Sequence, residues 1–286
     1  MHGDDLARPA TGRDRFRLKR SRTAPIFMPA PTWRMRSDFE MANWSDPWAN
    51  GAATASVGTR TASYDAGLRS YMLSVYNYMA SGVLLTGIVA LLFVNTGYVS
   101  LLFGPDGRAS GLGWIVMLAP LGIVFALSFG INRLSDAAAQ ALFWAYAAVM
   151  GLSLSTVLLV YTGSSVANTF FATAGAFAGL SLWGYTTKKD LSGFGSFLIM
   201  GVVGILLASI LNLFIHSGPL GLVISILGVL LFAGLTAYDT QRIKSMYFAV
   251  GGTTLARKSV VMGALQLYLD FINMFLFLLR LFGDRR

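Results

Sequence analysis

Cysteine is absent from the chain, so disulfide frameworks, thiolate nucleophiles and thiolate metal sites are excluded. Histidine occurs only at His2 and His216, which rules out a zinc site of the HExxH kind, and no phosphate-loop pattern is present. Ser153 and Ser155 have no credible base beside them, which argues against an intramembrane serine protease. The segment 259–281 contains no lysine on which a retinal Schiff base could form. These absences point away from an enzyme and away from any resident cofactor.

Charge is also scarce. Only 12% of the 286 residues are Asp, Glu, Lys or Arg, against roughly 25% in an ordinary soluble domain. The gaps between charges are the informative part: no charge lies between Arg69 and Asp106, Arg108 and Arg133, Asp136 and Lys188, or Asp190 and Asp239. A helix needs about 20 apolar residues to cross about 30 Å of hydrocarbon, so each of the last two gaps holds two crossings joined by a turn. A soluble bundle needs polar helix faces, which these segments lack. A β-barrel needs alternating polar and apolar residues, but the apolar residues here run on continuously. The expected fold is therefore an all-α membrane protein. Seven crossings are placed at 75–94, 112–131, 137–161, 166–187, 194–215, 220–242 and 259–281, separated by Gly-, Pro- and Asn-containing breaks.

Residues 1–68 read as a disordered cytoplasmic tail that mixes Arg13, Arg15, Arg17, Lys19, Arg20 and Arg22 with Pro25, Pro29 and Pro31. It has no apolar core of the signal-peptide kind, and either Met1 or Met41 could be the native start. Residues 69–286 form the membrane domain. The net charge of +9 does not imply nucleic-acid binding, because the basic residues sit in the tail and in short loops. Alternate loops collect Arg133, Lys188, Lys189, Arg242, Lys244, Arg257 and Lys258 on one side and Arg108 on the other, which places the N-terminus in the cytoplasm. Seven full crossings put Arg285 and Arg286 outside, against that rule. A re-entrant last segment with a cytoplasmic C-terminus stays open as an alternative. Glycine is abundant, 31 residues, and recurs inside the crossings as expected for closely packed helices.

The chemistry lies in the last two crossings. Asp270 is the only charge between Ser259 and Leu279, and a carboxylate in mid-membrane costs about 2.5 to 3.5 kcal/mol, so it should face protein or water. Ser259, Gly263, Gln266, Asp270, Asn273 and Arg280 share one helical face, so this helix belongs inside the bundle. Asp239 follows Thr236 by one turn near the end of the preceding crossing, and it can approach Asp270 if that helix runs on towards Gly251. Two carboxylates so placed cannot both ionise easily, and they share a proton. Ionised, the pair offers oxygens to a hard cation such as calcium; half-protonated, it can close the path. Arg133, at the end of the second crossing, reads either as a counter-charge to Asp239 or as an ordinary basic loop residue. A purely helix-gluing role for the acids also stays open.

The stretches Thr186-Thr187-Lys188-Lys189-Asp190-Leu191-Ser192, Ala237-Tyr238-Asp239-Thr240-Gln241 and Leu267-Tyr268-Leu269-Asp270-Phe271-Ile272-Asn273-Met274-Phe275 resemble those of the Bax inhibitor family, in a bacterial form. The likeness runs from Arg69 to Gly283. The resemblance implies a last helix wrapped by the other six, and a pH-sensitive calcium leak across the inner membrane. It further implies that Asp239 and Asp270 are the proton sensor, with Arg133 as a gating arginine; by their chemistry the two acids would be transient calcium ligands, and by helical spacing Gln266, Asn273 and Thr236 are read as the supporting polar face. A second role associated with bacterial relatives is regulation of a membrane-anchored AAA protease, for which the long tail would be the handle.

Overall fold

A computed structural model of the chain describes residues 47–286 except 132, 252 and 254, with side chains from residue 66 onward. Seven helices follow one another: α1 (Pro47–Asn95), α2 (Gly111–Gly130), α3 (Asp136–Val160), α4 (Gly163–Thr186), α5 (Ser192–Ile215), α6 (Gly218–Val250) and α7 (Ala256–Phe282). A short 3-10 turn, Tyr98–Leu102, lies in the α1–α2 connection. All seven are long and apolar enough to cross a membrane, in α1 over Ala66–Asn95. Among the described residues there is no β-sheet. The protein is an all-α, seven-helix membrane protein.

The polar breaks are also the helix caps. Ser110, Ser135, Thr162 and Ser217 each accept a bond from a backbone N–H three residues on, opening α2, α3, α4 and α6. Each such bond satisfies one of the donors a helix start leaves orphaned. Two helices outrun their apolar stretch. α1 runs unbroken from well before 75, and α6 continues to Val250 rather than 242. Hydropathy sees the hydrocarbon-facing part of a helix and not its polar extension into the interface. The expected disordered tail, 1–68, falls mostly outside the described residues, and α1 begins at Pro47.

Burial singles out α7, with 72% of its apolar stretch buried against 39% for α6 and 11% for α5. Leu267, Tyr268, Met274 and Leu279 are shut off almost completely, whereas Leu206, Leu213 and Phe214 of α5 are exposed, as lipid-facing residues should be. The last helix is therefore the core of the bundle, packed against α6, α4 and α3. Tyr268 reaches α1, where its hydroxyl lies 2.7 Å from Thr86 Oγ1, and Thr86 donates at 2.8 Å to the Ala147 carbonyl of α3.

α7 is continuous, and its end is tied to the α3–α4 turn. Thr162 N donates to Asp284 O at 3.0 Å, Arg286 N to Val160 O at 2.9 Å, and Asp284 N to Ser165 Oγ at 2.9 Å. The C-terminus thus sits at the end of the bundle opposite the α2–α3, α4–α5 and α6–α7 connections. This excludes the re-entrant alternative. At 1.5 Å per residue the helix is about 40 Å long, enough for a full crossing.

Candidate functional site

The α6–α7 pair is antiparallel, and its register is set by small-into-large packing. A Cβ on Gly228 of α6 would lie 2.6 Å from the Phe277 ring of α7, while Gly263 of α7 faces Ile243 of α6. Between these two contacts the register brings Asp239 and Asp270 together. Their carboxyl groups are in hydrogen-bonding contact across the helix interface, and both are buried, at 7% and 3% exposure. Asp270 Oδ2 has no hydrogen-bond partner. At that burial the pair is shut off from solvent.

Two unit charges about 4 Å apart repel by about 4 kcal/mol at an effective dielectric of 20. That repulsion adds to the cost of removing each carboxylate from water. Full ionisation of both carboxyl groups in this arrangement is therefore costly. Arg242 lies three residues, about one turn, further along the same helix as Asp239.

Hydroxyls complete the layer. Tyr76 of α1 lies 2.6 Å from Ser181 of α4, and Ser181 lies 2.9 Å from Thr240 of α6. Thr240 then donates to the Thr236 carbonyl at 2.7 Å, and Thr236 donates to Phe232 O at 2.7 Å. Just past the pair, Gln241 clamps the α4–α5 connection with both ends of its amide. It accepts from Leu191 N at 2.8 Å and donates to Lys189 O at 2.8 Å. Gln241 is two residues, about 3 Å of helix, from Asp239. The acids therefore sit close to the end of the bundle that carries the α4–α5 connection, although Asp270 is central in its own helix.

A profile of the family described as Inhibitor of apoptosis-promoting Bax1 matches residues 68–286, which span all of this machinery. The chain belongs to the Bax inhibitor family. It is 48% identical over 224 residues to the Inner membrane protein YbhL of Escherichia coli, covering 77% of this chain and 94% of YbhL. Over 234 residues it is 45% identical to an uncharacterized protein of Rickettsia prowazekii, covering 82% and 97%. A protein of Caulobacter vibrioides is 48% identical over 230 residues, covering 78% and 92%.

The other residues singled out from the sequence are dispersed. Arg133 lies exposed in the α2–α3 turn, where among the described residues it makes no ion pair. Gln266 and Asn273 are half-buried, and Asn273 spends its amide on the Leu269 carbonyl at 2.8 Å. Thr236 is buried and bonded within its own helix. Sequence reasoning missed the Gln241 clamp and the Tyr76–Ser181–Thr240 chain. Gln241 lies within a motif quoted for the family, and its spacing of two from Asp239 was visible. The hydroxyl chain joins three helices far apart in sequence and left no local signal.

Proposed function

We propose that this Bax inhibitor family protein is a pH-sensitive calcium leak channel of the bacterial inner membrane, its N-terminus in the cytoplasm, gated by the protonation state of Asp239 and Asp270. The observation that carries the reading is the enclosed carboxyl pair with one unpartnered oxygen. A proton between the groups stabilises the closed packing of α6 on α7. Its loss leaves two like charges in contact, which drives the helices apart and admits water.

The separated carboxylates then present oxygens to a divalent cation. Among the described residues there is no group of three or more acidic or histidine side chains. Calcium normally takes six to eight oxygens, so two carboxylates with water and backbone carbonyls would hold it only in transit. Here the ion is cargo and not a resident metal. The name of YbhL supports the inner-membrane assignment.

The test is flux from liposomes loaded with a calcium indicator, measured from mildly acidic to mildly alkaline pH. Wild-type flux should rise with pH, and Asp270→Asn should flatten the profile. An unchanged profile in a correctly folded Asp270→Asn protein would remove the proposed switch.

A further inference from the structure

At the end of the bundle carrying the α4–α5 connection, a hollow of about 350 Å³ is lined by Lys188, Lys189, Asp190, Ser192, Tyr238, Gln241, Arg242 and Ser245. Four of these matter most. Lys188, Lys189 and Arg242 are exposed, and among the described residues none makes an ion pair. The one acid of the wall, Asp190, is turned to its own backbone, where its Oδ1 accepts from Ser192 N at 2.9 Å. That bond holds the Asp190 carboxyl below the usual carboxylate range. Three cations thus line the hollow against one carboxylate, and none of them is ion-paired to it.

The wall is also rigid. The Gln241 amide fixes Lys189 and Leu191 by their backbone, and Lys189 N donates to Thr187 Oγ1 at 3.2 Å. The two lysines and the arginine thus project from a connection and a helix that are already tied together, so little ordering is needed when an anion enters. The surroundings choose among anions. α5, whose first residue Ser192 belongs to the wall, exposes Phe194 and Phe197 in its first turns, and α4 exposes Trp183 in the turn before the connection. These are lipid-facing side chains, and a Trp at this level marks the edge of the hydrocarbon. Basic pockets between transmembrane helices at such an edge suit lipid head groups.

We infer that this hollow binds the phosphodiester head group of an anionic phospholipid, held by Lys188, Lys189 and Arg242, with its acyl chains running down α5 past Phe194 and Phe197. The shared chemistry, a phosphate oxyanion, could also come from soluble phosphate. The exposed aromatics at the start of α5 favour the lipid.

The test uses the full chain in mixed-lipid nanodiscs, with retained lipid read by native mass spectrometry after detergent extraction. Wild-type protein should retain phosphatidylglycerol over phosphatidylcholine. Each basic residue near a membrane surface contributes about fivefold, so Lys188→Ala/Lys189→Ala/Arg242→Ala should lower the preference by roughly a hundredfold. Lys188→Arg/Lys189→Arg should keep it, and Arg257→Ala/Lys258→Ala, on the next connection, should leave it unchanged. The proposal is overturned if the folded triple variant, checked by its thermal midpoint, retains phosphatidylglycerol as wild type does. Inorganic phosphate protecting the wild type with no lipid retained would overturn it equally.

Discussion

Gly184 of α4 faces the carbonyl of Ala237 in α6 so closely that a Cβ on the glycine would collide with that backbone. Ala237 precedes Asp239 by two residues, and the contact presses α4 against α6 at the level of the acids. Gly184→Val should therefore cost about 1 to 3 kcal/mol through forced separation of the helices. Thermal unfolding in detergent would register this as a lowered midpoint. Gly175→Val, on the same helix where a Cβ would meet nothing, is the matched control and should have little effect.

Arg242 follows Asp239 by three residues on α6, whereas Arg133 stands exposed in the α2–α3 turn. Removing Arg242 withdraws an attraction for the ionised form of the pair, so Arg242→Ala should move the calcium flux profile towards higher pH. Arg133→Ala, at an exposed turn, should move it less. Parallel liposome titrations of the two variants would decide, and a larger displacement from Arg133→Ala would reverse the assignment.

Asp190 should stay outside this gating. Its folded value is lowered, so the stability it lends to the start of α5 is fully present above the ordinary carboxylate value of about 4 and is lost only as pH falls through the lower folded value. Asp190→Asn should leave the flux profile in place from mildly acidic pH upward.

Tyr268 is buried at the centre of the bundle with its hydroxyl against Thr86. Tyr268→Phe removes that bond while Thr86 keeps the Gly82 and Ala147 carbonyls as acceptors. A loss of about 0.5 to 1.5 kcal/mol in stability is expected, with no displacement of the flux profile. Differential scanning calorimetry alongside flux separates the two readouts.

Deleting residues 1–60 distinguishes the channel from a regulator of a membrane-anchored AAA protease. The channel reading expects undiminished calcium flux from the truncated protein. A tail-dependent regulator instead loses co-purification with the protease on truncation, and for that role flux is incidental.

The number of helices and their breaks were readable in advance because each rests on a local property. Charge-free runs long enough to cross lipid can only be helices with their backbone bonds internal. Ser and Thr caps stand where those runs stop, and Asp270 in an apolar segment demands shelter wherever that segment lies. The ends of α1 and α6 were placed short because their polar extensions carry no hydropathy signal.

Glycine shows the limit of local reading. Among the glycines that recur inside the crossings, a Cβ at Gly82, Gly151, Gly201, Gly228 or Gly234 would crowd a neighbouring residue. Gly87, Gly122, Gly175, Gly179 and Gly204 had the same standing in the sequence, yet a Cβ there would meet nothing. Gly184, against Ala237, was overlooked. Which face of a uniformly apolar helix turns inward depends on its neighbours and not on its own residues.

Membrane residence and the presence of a costly acid in α7 follow from the sequence alone, because transfer of charge into hydrocarbon is unfavourable in any fold. Tertiary structure decided that Asp239 meets Asp270 and that Arg133 stands apart. Those relations are set by interhelical register and close packing, which depend on contacts between residues distant in the chain.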